Sequence, residues 1–368
     1  MRKDSRTMAD APAGPAIDWD RAVTDRLVLR SLRGAVDYLA DELRGQSAAG
    51  AARIEVVRRY ADRVAIELDG PLSALRALHF YAEGAVDLGE VSGHDQGSDL
   101  IDGPVGERLR RSLDVGALSA LGGDTVRFRV GDLGDDRWAV RDRLTETWGW
   151  VNAPRDWQVN LDLVDGRLVA TLGDLHLTRR QGRLERLPAS TTPVLAAALV
   201  RLAKIPDGGS LLDPFCGAGT NLLLAHEMAA PGVLLGSDLR DDAVRQARLN
   251  AGHRQAPLHL VRADATRLPV EGAHVDRVIA NLPFGKRVGS HGSNQTLYPR
   301  FLRELDRVLA GDGRAVLLSE DKRLLVESVQ RTRGLRVIKE VTFASGGAHP
   351  SAYVVVRSRG QARRRAGG

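Results

Sequence analysis

The sequence predicts an α/β protein: a doubly wound, largely parallel sheet in its C-terminal half, preceded by an α+β module of a different kind. Three observations carry this reading. From Ser210 onward, short apolar runs alternate with helical stretches, the pattern of parallel strands joined by crossover helices. The first of those runs leads into a glycine-rich turn, "LLDPFCGAGT", at Leu211 to Thr220. Before Pro188, strand-like and helix-like runs are mixed, and no glycine-rich phosphate loop occurs.

In order along the chain, "DRLVLRSLRGAVDYLADELRG" reads as helical and "RIEVVRRYADRVAIELDG" as a hairpin. "PLSALRALHFYAEGAVDLG" reads as a helix and then a strand. Further strands are expected at "TVRFRVGD", "QVNLDLVDGRLVATLGD" and "LHLTRR", with a helix at "RWAVRDRLTETWGWVN". In the second half "SLLD", "GVLLGSD", "LHLVRADA", "DRVIANLP" and "RAVLLSE" are successive strands. The helices between them are "TNLLLAHEMAA", "DDAVRQARLNAGHR" and "YPRFLRELDRVLA", the last with Phe301, Leu302, Leu305 and Leu309 at helical spacing. "KRLLVESVQRT" is one more helix, and "LRVIKEVTFA" with "SAYVVVRS" an antiparallel pair. Residues 1–17 read as a disordered leader, 18–186 as the α+β module, 187–358 as the second domain and 359–368 as a disordered basic tail.

Composition narrows the function classes. At 368 residues and 43% apolar, the chain is long enough for two domains with real cores. Its net charge of +6, carried mostly by Arg, suits a polyanionic partner. A single cysteine, Cys216, excludes an intramolecular disulfide and a multi-cysteine zinc site, and the 9 His show no ligand spacing. No apolar targeting segment opens the sequence and no run is long enough to span a bilayer. The expected place is the cytoplasm.

The motifs fall at strand ends. In "LLDPFCGAGT", Gly217 and Gly219 let the backbone approach a ligand, while Asp213 either anchors the turn or reaches a cationic group. Phe215 and Thr220 belong to the same turn. Leu222 stands where the third glycine of a dinucleotide fingerprint would be, and no Walker lysine follows. S-adenosylmethionine fits this loop better, with its charged amino-acid end over the glycines. Asp238, which ends the second strand in front of Leu239, is placed to accept the ribose hydroxyls. Asp264, beside Ala265 at the end of the third, is placed to accept from the adenine amine. Each acid alone would pass for a helix cap, but all three lie at successive strand ends.

The fourth strand ends in "NLPFGKRVGS". An exocyclic amine on a nucleobase is a poor nucleophile because its lone pair is delocalised into the ring. The Asn281 side-chain oxygen and the Leu282 carbonyl could accept its N–H groups, Pro283 stiffens the turn, and Phe284 offers a face for the base. Lys286 and Arg287 could meet flanking phosphates, and Arg179, Arg180 and Arg183 could form a basic edge at the join between the domains.

These motifs resemble the class I RNA methyltransferases that carry a THUMP domain, in particular the tRNA guanosine-N2 methyltransferases. The resemblance is good from Pro188 to about Arg357 and weaker back through "LHLTRRQGRLERLPASTTPVLAAALVRLA". It implies that Asp213, Gly217, Gly219, Asp238 and Asp264 hold S-adenosylmethionine, that Asn281 to Phe284 hold the target base, and that 18–186 is a THUMP-like module positioning RNA. Leu282 stands where many members have proline. The expected function is methyl transfer to an exocyclic amine, guanine N2 in tRNA, with the need for a small activating protein partner left open. The alternatives are a non-catalytic RNA-binding protein that has kept the cofactor fold, or an N-methyltransferase acting on DNA, a small molecule or a protein amine. Cytosine-C5 chemistry is disfavoured, since it needs a cysteine in the catalytic loop and Cys216 sits in the glycine-rich turn.

Overall fold

A computed structural model describes residues 17–91, 97–180, 182, 184, 185, 187, 190–283, 291–344 and 347–358. The expected tail and all of the expected leader except Ile17 lie outside this set. Ile17 itself is buried, and its N–H donates to Asp174 Oδ2 at 2.8 Å. The chain divides into two compact units, one holding residues up to Ser31 together with Leu39–Gly182, the other Leu32–Tyr38 together with the chain from Arg183 onward.

The first unit contains β1 (Ala22–Arg30), α1 (Val36–Ala48, whose first turn is counted with the second unit), β2 (Arg53–Arg59), β3 (Arg63–Pro71), α2 (Ser73–Arg76) and β4 (Glu83–Glu90). It continues with α3 (Gly103–Asp114), β5 (Arg127–Val130), α4 (Arg137–Trp148), β6 (Val151–Asn152), β7 (Val159–Val164), β8 (Arg167–Leu172) and α5 (Leu177–Arg180). Its strands form one 8-stranded sheet in the order β2-β3-β1-β4-β8-β7-β5-β6. Two expectations are corrected here. The start of "DRLVLRSLRG" is a strand, because it pairs along its whole length with β3, from Ala22 opposite Pro71 to Arg30 opposite Arg63. "LHLTRR" is not a strand but ends in the short helix α5.

The second unit contains α6 (Pro193–Ala203), β9 (Ser210–Asp213), α7 (Thr220–Met228), β10 (Val233–Asp238), α8 (Asp241–Arg254), β11 (Leu258–Arg262) and β12 (Val275–Asn281). It ends with α9 (His291–Val308), β13 (Leu309–Ser319), α10 (Lys322–Arg331), β14 (Leu335–Thr342) and β15 (Ser351–Arg357). These strands form a 7-stranded sheet in the order β11-β10-β9-β12-β13-β15-β14. The first five are parallel, and β15 runs antiparallel to both β13 and β14. From β9 the chain winds outward through β10 and β11, then returns to β12 on the other side of β9. The crevice at the carboxyl ends of β9 and β12 is therefore the topological switch point, where ligands of such sheets bind. Beneath it, Tyr298, Phe301, Leu302 and Leu305 of α9 pack on Val278, Ala280 and Leu317 in one buried cluster.

Residues 32–38 close onto the end of β14. The Ala344 N–H donates to the Arg33 carbonyl at 3.2 Å. Gly34 has a φ of +97°, and a Cβ there would lie 2.5 Å from the Thr342 carbonyl oxygen, so only glycine fits.

Candidate active site at the carboxyl ends of β9 and β12

Of the two roles open to Asp213, the structure gives it the turn anchor. Its side chain is fully buried, Oδ1 accepting from the Phe215 N–H at 3.0 Å and Oδ2 from Asn221 Nδ2 at 2.9 Å. Burial pushes its carboxyl up to about 7, and the nearby Asp238 charge acts in the same direction, against those two hydrogen bonds. The loop that it holds has Gly217 at a φ of 53° and Gly219 at 84°, both left-handed. A Cβ on Gly217 would meet nothing within 4 Å, so the outer side of the loop is open. Phe215 packs edge-on against Phe301, with ring centroids 5.1 Å apart, and Thr220 opens α7.

Asp238 ties this loop to the neighbouring strand. Its Oδ2 accepts from the Gly217 N–H and its Oδ1 from the Arg240 N–H, each at 3.0 Å. A carboxylate has about four acceptor positions, so room for ligand hydroxyls is left. Leu239, next to it, is 64% exposed, unusual for a leucine at a strand end. The Asp238 carbonyl accepts from the Ala263 N–H at 3.1 Å, which draws the end of β11 alongside. There Asp264 is exposed, its Oδ1 accepting from the Thr266 N–H at 2.8 Å, and Ala265 is buried beneath it. Burial pushes the Cys216 thiol up, and it stays an inert packing group.

At the end of β12, Asn281 Nδ2 donates to Thr191 Oγ1 at 2.9 Å. Asn281 Oδ1 is buried and has no hydrogen-bond partner among the described residues. Leaving such an acceptor unsatisfied costs about 1–3 kcal/mol. The Leu282 N–H continues the ladder to the Leu318 carbonyl at 3.0 Å. The Pro283 carbonyl is gripped twice, by Asn294 Nδ2 at 2.8 Å and by the Tyr298 hydroxyl at 2.9 Å. Burial pushes the Tyr298 phenol up to about 12, so it remains a donor at any physiological pH. Its oxygen lies 2.9 Å from Ser319 Oγ, which in turn accepts from the Asp321 N–H at 2.9 Å. The turn bearing Asn281 is thereby fixed from the α9 side.

Phe284, Lys286, Arg287 and Arg183 lie outside the described residues. Arg180, expected at a basic edge facing RNA, is corrected: it is buried in the N-terminal unit, donating to the carbonyls of Arg76, Leu78 and Tyr81. Its guanidinium also sits 3.7 Å over the Tyr81 ring. These contacts make it a structural cation. Arg179 is partly exposed, 5.0 Å over the Trp157 ring, with a hydrogen bond to the Trp157 carbonyl at 2.9 Å. Thr191, Asn221, Asn294 and Ser319 carry no sequence signal for the site. Tyr298 does, since it precedes Phe301, Leu302 and Leu305 at helical spacing on α9. Among the described residues no cluster of His, Cys, Asp or Glu could hold a metal ion, and no helix is long and apolar enough to cross a membrane.

Residues 180–351 match the family model described as UPF0020, the RMKL-like methyltransferase domain. The tRNA (guanine(6)-N2)-methyltransferase of Thermus thermophilus is 36% identical over 173 residues, covering 46% of this chain and 50% of that protein. The Bos taurus tRNA (guanine(6)-N(2))-methyltransferase THUMP3 is 31% identical over 191 residues, 46% of this chain and 37% of that one. The chain thus spans half or less of the length of these curated relatives. The crystal structure of TrmN from Thermus thermophilus superposes with a TM-score of 0.68 at 26% identity, over 90% of this chain and 99% of that one. Strand order, the glycine loop held between Asp213 and Asp238, and the matched model agree: residues 180–351 are similar to the RMKL-like methyltransferase domains and take the class I, S-adenosylmethionine-dependent fold.

Proposed function

We propose that the protein methylates an exocyclic amine of RNA, with guanine N2 in tRNA as the acceptor, and that it works in the cytoplasm. The observation that carries this is the buried, unpartnered Asn281 Oδ1 at the switch point. The names of the Thermus thermophilus and Bos taurus relatives supply the base and the RNA. The residues at the strand ends fit the methyl donor. Gly217 leaves the room that its amino-acid end requires, Asp238 retains acceptor positions for ribose hydroxyls, and Asp264 with the exposed Leu239 flanks the adenine. Asp213 acts from beneath by holding the loop. S-adenosylmethionine, when bound, supplies an electrophilic methyl group on a sulfonium.

Asn281 Oδ1 and the Leu282 carbonyl accept the two N–H groups of the base amine. This orients its lone pair and stabilises the positive charge that builds on nitrogen during attack. The nitrogen would gain the methyl as the methyl–sulfur bond pair returns to sulfur, and would then lose one proton to water. No enzyme nucleophile is needed, and positioning does most of the work. The N-terminal unit, read as a THUMP-like module over 18–186, positions the RNA.

Incubation of the protein with bulk tRNA and methyl-tritiated S-adenosylmethionine, followed by nucleoside mass spectrometry, is expected to give N2-methylguanosine. Asn281→Ala should lower single-turnover methylation about 100-fold or more while cofactor Kd changes little. Label in no nucleoside, or unchanged turnover in Asn281→Ala, would remove this reading.

A further inference from the structure

We infer that Thr191 is a positioning residue for methyl transfer: its hydroxyl anchors the Asn281 amide so that the acceptor Oδ1 is held in place for the amine. The inference rests on the function proposed above and concerns the same site.

An asparagine side chain ends in an acceptor and a donor of nearly equal size, and half a turn about χ2 exchanges them. For an amine that brings only N–H groups, one orientation binds and the other opposes two donors. Strand β12 fixes the Asn281 backbone through its pairing with β13, but it does not choose between these orientations. Among the described residues one contact holds the side chain, Asn281 Nδ2 to Thr191 Oγ1 at 2.9 Å. A hydroxyl can accept or donate, so it fixes the tilt of the amide, and an amine that brings only N–H groups selects the form with Oδ1 facing it. The contact to Thr191 engages the donor and leaves Oδ1 buried with no partner. An anchored amide has less freedom to turn about χ2, so less ordering of the side chain is needed when substrate arrives.

Thr191 is itself held. It is 9% exposed and lies between Ser190 and the start of α6. Ser190 Oγ accepts from the Leu187 N–H at 2.9 Å, and the Ser190 N–H returns to the Leu187 carbonyl at 3.0 Å. Thr192 adopts an extended conformation ahead of Pro193, where α6 begins. α6 is buried along nearly its whole length. The hydroxyl thus comes from a rigid helix entry 90 residues from its partner in sequence, and needs no further ordering when the base binds.

Thr191→Val keeps the shape and removes the hydroxyl, and Thr191→Ser keeps the hydroxyl. Thr191→Val is expected to slow single-turnover methylation about tenfold, the scale of one lost hydrogen bond in the transition state. Cofactor Kd and tRNA Kd should be unchanged, and Thr191→Ser should restore the rate. Because Thr191 acts only through Asn281, Thr191→Val added to Asn281→Ala should slow the reaction no further. An unchanged rate in Thr191→Val, or the same tenfold loss in the Asn281→Ala background, would overturn the positioning role. Should Thr191→Val fold poorly, Thr191→Ala carries the same two comparisons. Asn281→Ala alone keeps the outcomes separate: full activity there removes the proposed site, whereas loss there with an indifferent Thr191 removes only this inference.

Discussion

Two polar side chains, the half-buried Asn281 and the buried Asp213, face opposite demands. Asn281 Oδ1 is left without a partner, whereas both oxygens of Asp213 are used by the protein itself. On the proposed function, the difference separates the group assigned to substrate from one that holds a loop. It also gives Asp213 a pH signature. Its carboxyl is raised from 3.8 to about 7 in the folded state, first by burial. Between these values the folded protein holds a proton that the unfolded chain has released, so this group's stabilisation is full below about pH 4 and lost as pH rises through 7. Asp213→Asn removes that slope. Its oxygen still accepts from Phe215, and Asn221 can turn its unpartnered Oδ1 toward the new amide. Thermal unfolding from pH 4 to 7 should show a flatter Tm profile for the variant, and parallel profiles would contradict the buried-carboxyl account. The positions of Asp213, Asp238 and Asn281 were legible in the sequence because each ends an apolar run. Thr191 was not, because its role exists only once α6 and β12 are folded side by side.

At the scale of elements, the glycine loop and α5 show what local sequence conveys. Gly217 is left-handed with open space above it, so Gly217→Ala meets no protein atom and costs about 1–2 kcal/mol of backbone strain. Its expected effect is a Tm lowered by a few degrees and a cofactor Kd raised tenfold or more. Calorimetric titration checks this, and an unchanged Kd would move the cofactor off the loop. Arg180 is the opposite case. "LTRR" looks like a solvated charged turn, yet the carbonyls of Arg76, Leu78 and Tyr81 draw one of its arginines inward. Arg180→Ala should destabilise the N-terminal unit by about 3 kcal/mol or more, leaving those carbonyls orphaned, and should leave RNA affinity of the folded protein unchanged. Denaturant unfolding and a binding titration together decide it. Helix α6 escaped the sequence reading for a related reason. "PVLAAALVRLA" is apolar on almost every side, so no amphipathic period marks it. β1 escaped because "LVL" suits either period, and only its partner β3 decides.

For the whole molecule, the alternation of strands and helices was enough to foresee the second unit. The first unit mixes its elements, and its single 8-stranded sheet depends on long-range pairings such as β4 with β8 that no local pattern announces. Nor does any local pattern announce that residues 32–38 belong with the C-terminal unit. Gly34→Ala should therefore weaken that distant half by about 2 kcal/mol or more, since its φ of +97° and the Thr342 carbonyl leave no place for a methyl. Hydrogen exchange along β14 would quicken if this holds, and would stay unaltered if it does not. The same feature bears on any attempt to splice the chain. A gene cut after Gly182 would deliver the methyltransferase half without the short N-terminal strap that buttons down one margin of its sheet. Halves traded between relatives would have to carry that strap along with the half it fastens.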